Sequence, residues 1–341
     1  MRENHRESGA AHGVVRLDLG VPGGDRVRHA PEVVDLAVEA VRHDGVVIIE
    51  NVVDPSILRR IKARMAADLE VLAPRPDRAE NFAPGHLQQD PPPEPDLLAS
   101  QILAHPFVLT VCRAVMSQPL RLTGYSNNTN MPGSSAQAVH VDEGQLWPGL
   151  PVAHPPARLT VNIPLTTTSE EGGALEVWPG THDDVSVCQY SSTQREGLLR
   201  ALEYVRVAKQ AGVEGQVNRR VGLTVAPDAL AERRELRPPV RAVTAEGGVI
   251  IRDPRLWHRG TPNVSDRTRF MLALTYDPHW RSSEPPIELP SVAREIFERA
   301  RLDVNAVYVN GRIDHLDRHP PFEGSPLRRA RFSSTEQPKR A

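Results

Sequence analysis

Three residues of types that bind metals lie in two segments that are far apart in the sequence. His140 and Asp142 form a His-x-Asp tripeptide, and His258 follows an apolar run and precedes a turn. Two imidazoles and one carboxylate on one face of an octahedral iron leave three positions open, which is the ligand set of non-haem Fe(II) oxygenases. Zinc more often takes a third histidine or a cysteine. The residue types therefore favour iron chemistry, provided that the fold brings the three side chains together.

The tripeptide lies in a segment, residues 137–142, that we predict to be a β-strand. Residues two apart in a strand project from the same face, so His140 and Asp142 can approach one metal. A His-x-Asp tripeptide alone often arises by chance, and the prediction therefore depends on the second segment, residues 249–258. A strand that ends near His258 can reach the tripeptide in a jelly roll.

A basic residue follows the second histidine at the start of another apolar strand. Arg269 comes eleven residues after His258 (269 − 258 = 11). A guanidinium group in a fixed position can hold a carboxylate through two parallel hydrogen bonds. The alternative in an arginine-rich chain is a solvated surface charge, which is what we expect of Arg267.

The elements that must position these residues begin with alternating helical and extended patterns. Apolar spacing predicts a helix from Pro31 that stops at Gly45, then a strand over residues 46–50, and a second helix that opens at Asp54-Pro55. A third helix is predicted over residues 96–116. These helices precede the strands that carry the candidate site.

After Pro119 the pattern shortens to strand-like runs separated by glycine and proline. The runs cover residues 120–131, 137–142, 158–165, 173–178, 248–252 and 267–276. Many short strands with turn residues between them are typical of a sandwich or a closed double sheet. The predicted fold class is mainly β with flanking helices.

The chain is organised as one decorated domain. Residues 1–30 are a loose lead-in, residues 31–280 form the core domain with its N-terminal helices, and residues 281–341 are a C-terminal extension. Residues 183–240 interrupt the strand series and are predicted to be an insertion, with a helix near residues 193–209.

Proline shapes the region between the second and third helices. Residues 73–97 contain too many prolines for a continuous helix or a central strand. We interpret this stretch as a loop at the mouth of a site.

Composition excludes several classes of function. The formal net charge is −2 and the pI is near 6.7, so there is no excess of positive charge for a nucleic-acid partner. Cys112 and Cys188 lack the spacing of a disulfide framework or a zinc site. No apolar run approaches the roughly 18–20 residues needed to cross a bilayer, and the N-terminus lacks the apolar core of a signal peptide. We expect a cytoplasmic protein with a small-molecule substrate and no membrane partner, and we predict no oligomeric state.

Four ordered motifs give the chain a resemblance to the phytanoyl-CoA dioxygenase family of Fe(II)/2-oxoglutarate enzymes, over roughly residues 32–280. The motifs are Asp44-Gly45-Val46-Val47-Ile48-Ile49, His140-Val141-Asp142, Glu171-Gly172-Gly173-Ala174-Leu175-Glu176-Val177-Trp178-Pro179-Gly180-Thr181-His182, and Trp257-His258 followed by Arg269. The resemblance implies a double-stranded β-helix (jelly-roll, cupin-like) core with Fe(II), 2-oxoglutarate and O2. It also implies that Arg269 binds the distal carboxylate of 2-oxoglutarate.

The resemblance also implies a reaction, in which 2-oxoglutarate and O2 become succinate and CO2 while a C–H bond of a small molecule is oxidised. Halogenating relatives replace the carboxylate ligand with a small residue, so Asp142 favours hydroxylation. Desaturation, epoxidation and ring formation share the ligand set and stay open.

Further co-substrate contacts are implied at Gln137, Asn162 and Thr261. Many relatives place a serine one position before Thr261, where this chain has Gly260, so the role of Thr261 is the least supported by the resemblance. The same resemblance makes His182 a structural residue rather than a fourth ligand.

Two other classes of protein have to be distinguished from an oxygenase. One is a non-oxygenase cupin-like protein that binds a metal and a small ligand, and the other is a regulatory ligand-binding domain. Arg269 argues against the cupin-like protein, because it suits an anionic co-substrate. A regulatory domain would show no turnover and no dependence on iron, which an assay of succinate release distinguishes. Arginine-rich composition and the long insertion suggest a bacterial tailoring enzyme of natural-product (antibiotic) biosynthesis.

Overall fold

The computed structural model describes residues 13–20, 31–76, 78–81, 83–147, 150–185, 224–281 and 285–317. Within these residues the core is a mixed β-sheet with flanking helices, which confirms the coarse fold class. The helix predicted at residues 193–209 lies outside the described residues, as do most of the predicted insertion and the end of the C-terminal extension.

The described helices are α1 (Pro31–Asp44), α2 (Pro55–Leu72), α3 (Ser100–Leu103), α4 (Pro106–Met116), α5 (Pro227–Leu236) and α6 (Arg294–Ala300). Asp54 caps α2, since its carboxylate accepts a hydrogen bond from the Ser56 backbone N–H at 2.8 Å. The single helix predicted over residues 96–116 is wrong. Pro106 has no N–H to donate and cannot continue α3, so a new helix starts with Pro106 in its first turn.

The described strands are β1 (Arg16–Asp18), β2 (Val46–Glu50), β3 (His86–Gln88), β4 (Leu120–Asn130), β5 (Leu159–Pro164), β6 (Glu176–Val177), β7 (Val240–Arg241), β8 (Val249–Arg252), β9 (His258–Arg259), β10 (Arg269–Pro278), β11 (Ile287–Pro290), β12 (Asp303–Val304) and β13 (Ala306–Val309). The large sheet has the order β1-β2-β8-β5-β10-β4-β12, and β3 also pairs with β4. The pairs β1–β2 and β4–β12 are parallel and the others in this sheet are antiparallel. A small sheet has the order β7-β6-β9.

Strand parity divides the large sheet into two faces. On β2, Val47 and Ile49 belong to the main core, which the helices complete, whereas Val46 and Ile48 pack in a second cluster with Val177 of the small sheet. A strand that is buried on both faces needs apolar residues at successive positions, which explains this run. The small sheet therefore lies against the inner face of the large one.

The inner face changes from apolar to polar toward the middle of the large sheet. On β5, Val161 and Ile163 belong to the main core, while Thr160 and Asn162 line a cavity. On β10 the alternation is the same: Phe270, Leu272 and Leu274 are core residues, and Met271, Ala273 and Thr275 line the cavity. The central strands thus support the core with one face and form a site with the other.

Two further observations concern membranes and thiols. No helix in the described ranges has the length and apolarity needed to span a bilayer. Cys112 is a buried free thiol on α4, and burial raises its pKa to about 12, so it is protonated. Cys188 falls outside the described residues.

A glycine at the junction of α1 and β2 generates a stability prediction. Gly45 has φ +75°, and a Cβ there would lie 2.7 Å from His182 Nδ1 and 2.9 Å from Leu256 Cδ1. Gly45→Ala should therefore lower the free energy of unfolding by about 2–6 kcal/mol, because backbone strain and overpacking add. Urea unfolding measures this change.

Gly133→Ala is the matched control. Gly133 has φ +74°, but a Cβ there would meet no atom within 4 Å, so only the backbone cost of about 1–3 kcal/mol applies. Equal losses from the two variants would show that the contact with His182 and Leu256 does not constrain position 45.

Candidate active site

The two predicted metal-ligand segments meet through one backbone pairing. His140 forms an isolated antiparallel bridge with His258, and each backbone N–H donates to the carbonyl of the other residue at 2.9 Å. The regular strand predicted over residues 137–142 is wrong, since no strand is assigned there. The segment is nevertheless extended enough for Asp142 N–H to donate to Pro254 O at 2.8 Å, and Asp142 faces the same side as His140.

This pairing places the three side chains around one point. One ligand atom from each of His140, Asp142 and His258 lies within 4.8 Å of the others. Asp142 Oδ1 is 3.9 Å from His140 Nε2 and 3.5 Å from His258 Nε2. Among the described residues this is the group of histidine, cysteine and carboxylate side chains that is spaced for a metal.

Both imidazole rings are oriented by their own backbone. Nδ1 of His140 is 2.8 Å from Ala138 O, and Nδ1 of His258 is 2.8 Å from Leu256 O. A carbonyl only accepts hydrogen bonds, so each Nδ1 carries the proton and each Nε2 keeps the lone pair for a metal. Burial and the neighbouring His258 lower the pKa of His140 to about 3, which keeps that ring neutral, as a ligand must be.

Asp142 is held in its ionised form by an arginine beneath it. Burial by itself raises the pKa of Asp142, but the positive charge of Arg252 beside it outweighs burial and holds the pKa well below its usual value. Arg252 Nη2 donates to Asp142 Oδ2 at 2.6 Å, so Oδ1 is the oxygen that faces the histidines. The sequence prediction missed Arg252, although an arginine that ends an apolar central strand needs a buried partner.

The donor set fits iron(II). It consists of two imidazoles and one carboxylate, with the carboxylate oxygen facing the imidazole nitrogens. His182 is not part of it: its Nε2 donates to Arg42 O at 3.1 Å, beneath the α1–β2 junction.

Arg269 is a buried cation without a counter-ion. Its residue exposure is 5%, its Nη1 donates to Asn128 O at 3.2 Å, and its Nε has no hydrogen-bond partner. Burial lowers the pKa of Arg269 to about 10, and no carboxylate of the described residues pairs with it. Because an uncompensated buried charge is costly, the position suits an anionic ligand.

Asn162 and Gln137 both line the cavity, but they differ in whether their side-chain amides are fully hydrogen-bonded. Asn162 Oδ1 accepts from Arg252 Nε at 3.0 Å, while its Nδ2 is buried without a partner. Gln137 uses both ends of its amide: Oε1 accepts from Gly260 N at 2.6 Å, and Nε2 donates to Asn81 O at 2.7 Å. A co-substrate contact at either residue stays a prediction, and Asn162 has the available donor.

Thr261 is not among the residues that line the cavity. Its hydroxyl donates to Ala174 O at 2.7 Å, which joins it to the loop before β6. Its contact with 2-oxoglutarate stays a prediction, and the position of the Thr261 side chain does not support it.

A histidine of the proline-rich loop occupies the space beside Gly260. A Cβ at Gly260 would lie 2.6 Å from His86 Cε1 and 2.8 Å from Gln137 Oε1, so a serine there would clash. His86 Nε2 donates to Ser135 O at 2.8 Å, and burial together with Arg269 lowers the pKa of His86 to about 4. The ring is therefore neutral. It escaped prediction because it lies in residues 73–97, which we expected to be a loop and which contain β3.

The cavity enclosed by these residues has a volume of about 260 Å³. Its lining includes the triad, Arg269, Asn162 and Gln137. Other polar side chains complete the lining, namely Asn81, His86, Gln88, Ser126, Asn128, Glu143, Arg158, Thr160, Arg252 and Thr275. Arg158 is half-buried and donates through Nε to Asp277 Oδ1 at 2.6 Å.

Known proteins provide an independent comparison. The sequence profile of the family described as phytanoyl-CoA dioxygenase (PhyH) matches residues 41–271. Among solved structures, AviO1 from Streptomyces viridochromogenes Tue57 shares 20% identity with a TM-score of 0.48, over 74% of this chain and 97% of that chain. SnoK, a non-haem α-ketoglutarate-dependent carbocyclase from nogalamycin biosynthesis, shares 20% identity with a TM-score of 0.49, over 81% and 93%. EvdMO1 shares 20% identity with a TM-score of 0.47, over 72% and 50%.

Metal binding tests the triad directly. His140→Ala and Asp142→Ala should each weaken Fe(II) binding by more than the roughly 10–100-fold that loss of an outer-shell partner costs. Anaerobic titration of the metal-free protein with Fe(II) measures the affinity.

His279→Ala is the control for that titration. The His279 side chain is 44% exposed and pairs with Asp303, and His279 is not among the residues that line the cavity. Wild-type affinity in either triad variant would contradict the assignment, as would a comparable loss in His279→Ala.

Proposed function

Because this chain belongs to the phytanoyl-CoA dioxygenase (PhyH) family and is a 2-oxoglutarate-dependent non-haem iron dioxygenase, we propose that it hydroxylates a C–H bond of a small molecule. One oxygen atom of O2 enters the C–H bond, and the other enters succinate as 2-oxoglutarate loses CO2. The observation that carries the proposal is that the triad and the counter-ion-free Arg269 line the same cavity.

The triad would hold the iron through His140 Nε2, His258 Nε2 and Asp142 Oδ1. Bound iron with 2-oxoglutarate supplies the capacity to activate O2. The protein orients the ligands: two backbone carbonyls fix the rings, and Arg252 fixes the carboxylate so that one oxygen faces the metal position.

Buried donors without partners support a doubly anionic co-substrate. Arg269 Nε and Asn162 Nδ2 are buried, have no hydrogen-bond partner among the described residues and belong to residues that line the cavity. Each such donor costs about 1–3 kcal/mol when left unsatisfied, and more when it is charged. A dicarboxylate such as 2-oxoglutarate can satisfy donors at both of its ends.

The type of oxidation rests on Asp142. Its carboxylate occupies the position that is a small residue in halogenating relatives, which supports hydroxylation over halogenation. Desaturation, epoxidation and ring formation use the same ligand set and are distinguished by analysis of the product.

The opposed sheets also support the finer fold prediction. The small sheet is extended by the bridges of His140 to His258 and Thr224, and it faces the large sheet across the cavity. We infer a double-stranded β-helix from this arrangement. A place in natural-product biosynthesis stays a prediction.

Succinate release tests the proposed activity. Purified protein with Fe(II), ascorbate and 2-oxoglutarate should release succinate, and His140→Ala and Asp142→Ala should not. Equal release from wild type and variants would contradict the proposal. A cupin-like binding protein or a regulatory domain would release none.

Arg269 should set the preference for a co-substrate with a distal carboxylate. Arg269→Gln should lower the preference for 2-oxoglutarate over 2-oxopentanoate, which lacks that carboxylate, by about 10–150-fold, because hydrogen bonds to charged groups contribute about 1.5–3 kcal/mol. The ratio of the two KM values in succinate or butyrate release measures the preference.

The matched control is Arg267→Gln on the same segment. The Arg267 side chain is 89% exposed, so its loss should leave the ratio unchanged. An unchanged ratio in Arg269→Gln would remove Arg269 from the co-substrate site even if the protein is an oxygenase.

A further inference from the structure

Three polar side chains form a row across the inner face of the large sheet. Thr160 on β5 is in register with Arg252 on β8 and with Thr275 on β10, and all three line the cavity. We call these three residues the polar row. Gly124 of β4 continues the row, and a Cβ there would lie 2.9 Å from Thr275 Oγ1, so glycine leaves room for the threonine.

The polar row lies far along β10 from the predicted 2-oxoglutarate position. Arg269 and Thr275 are six residues apart (275 − 269 = 6) on one strand, which corresponds to about 20 Å at the rise of an extended strand. Arg252 of the row donates to the metal-ligand candidate Asp142 at 2.6 Å. A molecule bound on the polar row is therefore next to the metal position and away from Arg269.

The polar row contains hydrogen-bonding groups that have no partner among the described residues. Neither the Thr160 hydroxyl nor the Thr275 hydroxyl bonds to another side chain or carbonyl of the described residues, and Arg252 Nη1 is buried without a partner. A hydroxyl both donates and accepts, so the two threonines match ligand hydroxyl groups.

The charges beside the polar row are compensated. Glu143 and Arg158 line this part of the cavity. Arg158 bonds to Asp277 at 2.6 Å and to Glu143 at 3.3 Å, and Arg281 bonds to Glu143 at 2.6 Å. Two arginines and two carboxylates sum to zero, so this end favours a neutral ligand, whereas Arg269 favours an anion.

Apolar contacts are few in the described lining. They come from Leu175, Pro254, Met271 and Ala273. Among the described residues, no phenylalanine, tyrosine or tryptophan lines the cavity. A site for an acyl chain or a flat polycycle is normally lined mainly by apolar and aromatic side chains. The lining therefore disfavours both.

We propose that the primary substrate presents a neutral, hydroxyl-rich ring, such as a sugar, to the polar row. This proposal rests on the proposed function, because it names the class of molecule that the oxygenase oxidises. Hydroxyl groups of the ring bond to Thr160, Thr275 and Arg252 Nη1, which hold one of its C–H bonds beside the metal position.

The test uses the methyl glycosides of glucose, galactose and mannose as probes, with a fatty acyl thioester and phenylalanine for comparison. Binding is measured under anaerobic conditions as the change that a probe causes in the visible absorption of the complete Fe(II)- and 2-oxoglutarate-loaded enzyme. Succinate release above the background without probe gives a second readout. At least one glycoside should produce both effects, and the thioester and phenylalanine should not.

Variants of the polar row then locate the binding. Thr160→Val combined with Thr275→Val removes two hydroxyls at nearly constant volume and should raise the half-saturating glycoside concentration by about 5–150-fold. Thr160→Ser with Thr275→Ser keeps both hydroxyls and should restore most of the binding.

Thr110→Val on α4 is the matched control, because Thr110 is exposed and its hydroxyl bonds to Pro106 O within the helix. The proposal is overturned if no glycoside binds to wild type, if the thioester or phenylalanine stimulates instead, or if the valine variants bind a glycoside normally. Absence of any background succinate in wild type would count against the proposed function itself, so the two failures are distinguishable.

Discussion

The backbone pairing of His140 with His258 is the interaction on which the rest of the site depends. The two residues exchange both N–H···O bonds at 2.9 Å, so they stand directly opposite each other. Their ring centroids are 4.5 Å apart, and the ring planes are tilted by 55°. Asp142 joins them because it lies two residues further along an extended segment. Residues that are 118 positions apart (258 − 140 = 118) thereby come together as one candidate ligand set, and the neighbouring strands supply the walls of the cavity.

Buried arginines in this protein differ in whether a carboxylate neutralises their charge. Those with a carboxylate partner have a structural role, and one without such a partner is a candidate for binding a ligand. Arg255 and Asp253 are almost fully buried and pair at 2.6 Å, and Arg252 pairs with Asp142 at the same distance. Arg269 differs from these two arginines, since it is buried and no carboxylate of the described residues pairs with it. A buried charge without a partner costs stability. The exception is best explained by an anionic co-substrate, which the family membership supplies.

Strand β10 shows how stability and function share one element. Its odd-numbered positions, from Arg269 to Thr275, line the cavity, and its even-numbered positions support the main core. A one-residue slip in register would exchange the two sets, so the same hydrophobic packing that stabilises the sheet also fixes the side chains of the site. His86 shows a different kind of constraint, because its ring fills the space that Gly260 leaves and thereby excludes a side chain there.

The sequence alone determined what local residue types and spacing encode. The stop of α1 at Gly45, the opening of α2 at Asp54-Pro55 and the family all followed from short motifs in order, and the family is confirmed. The triad and Arg269 were proposed from the same motifs, and their roles as metal ligands and co-substrate contact stay predictions. The tertiary structure decided the break at Pro106, the single bridge at His140, and the place of Arg252 under Asp142. It also showed that Gln137 and Thr261 bond to backbone atoms, and that Thr160 stands beside Thr275. These features depend on register between strands that are distant in the chain, and register is set by packing of the whole sheet rather than by any local pattern.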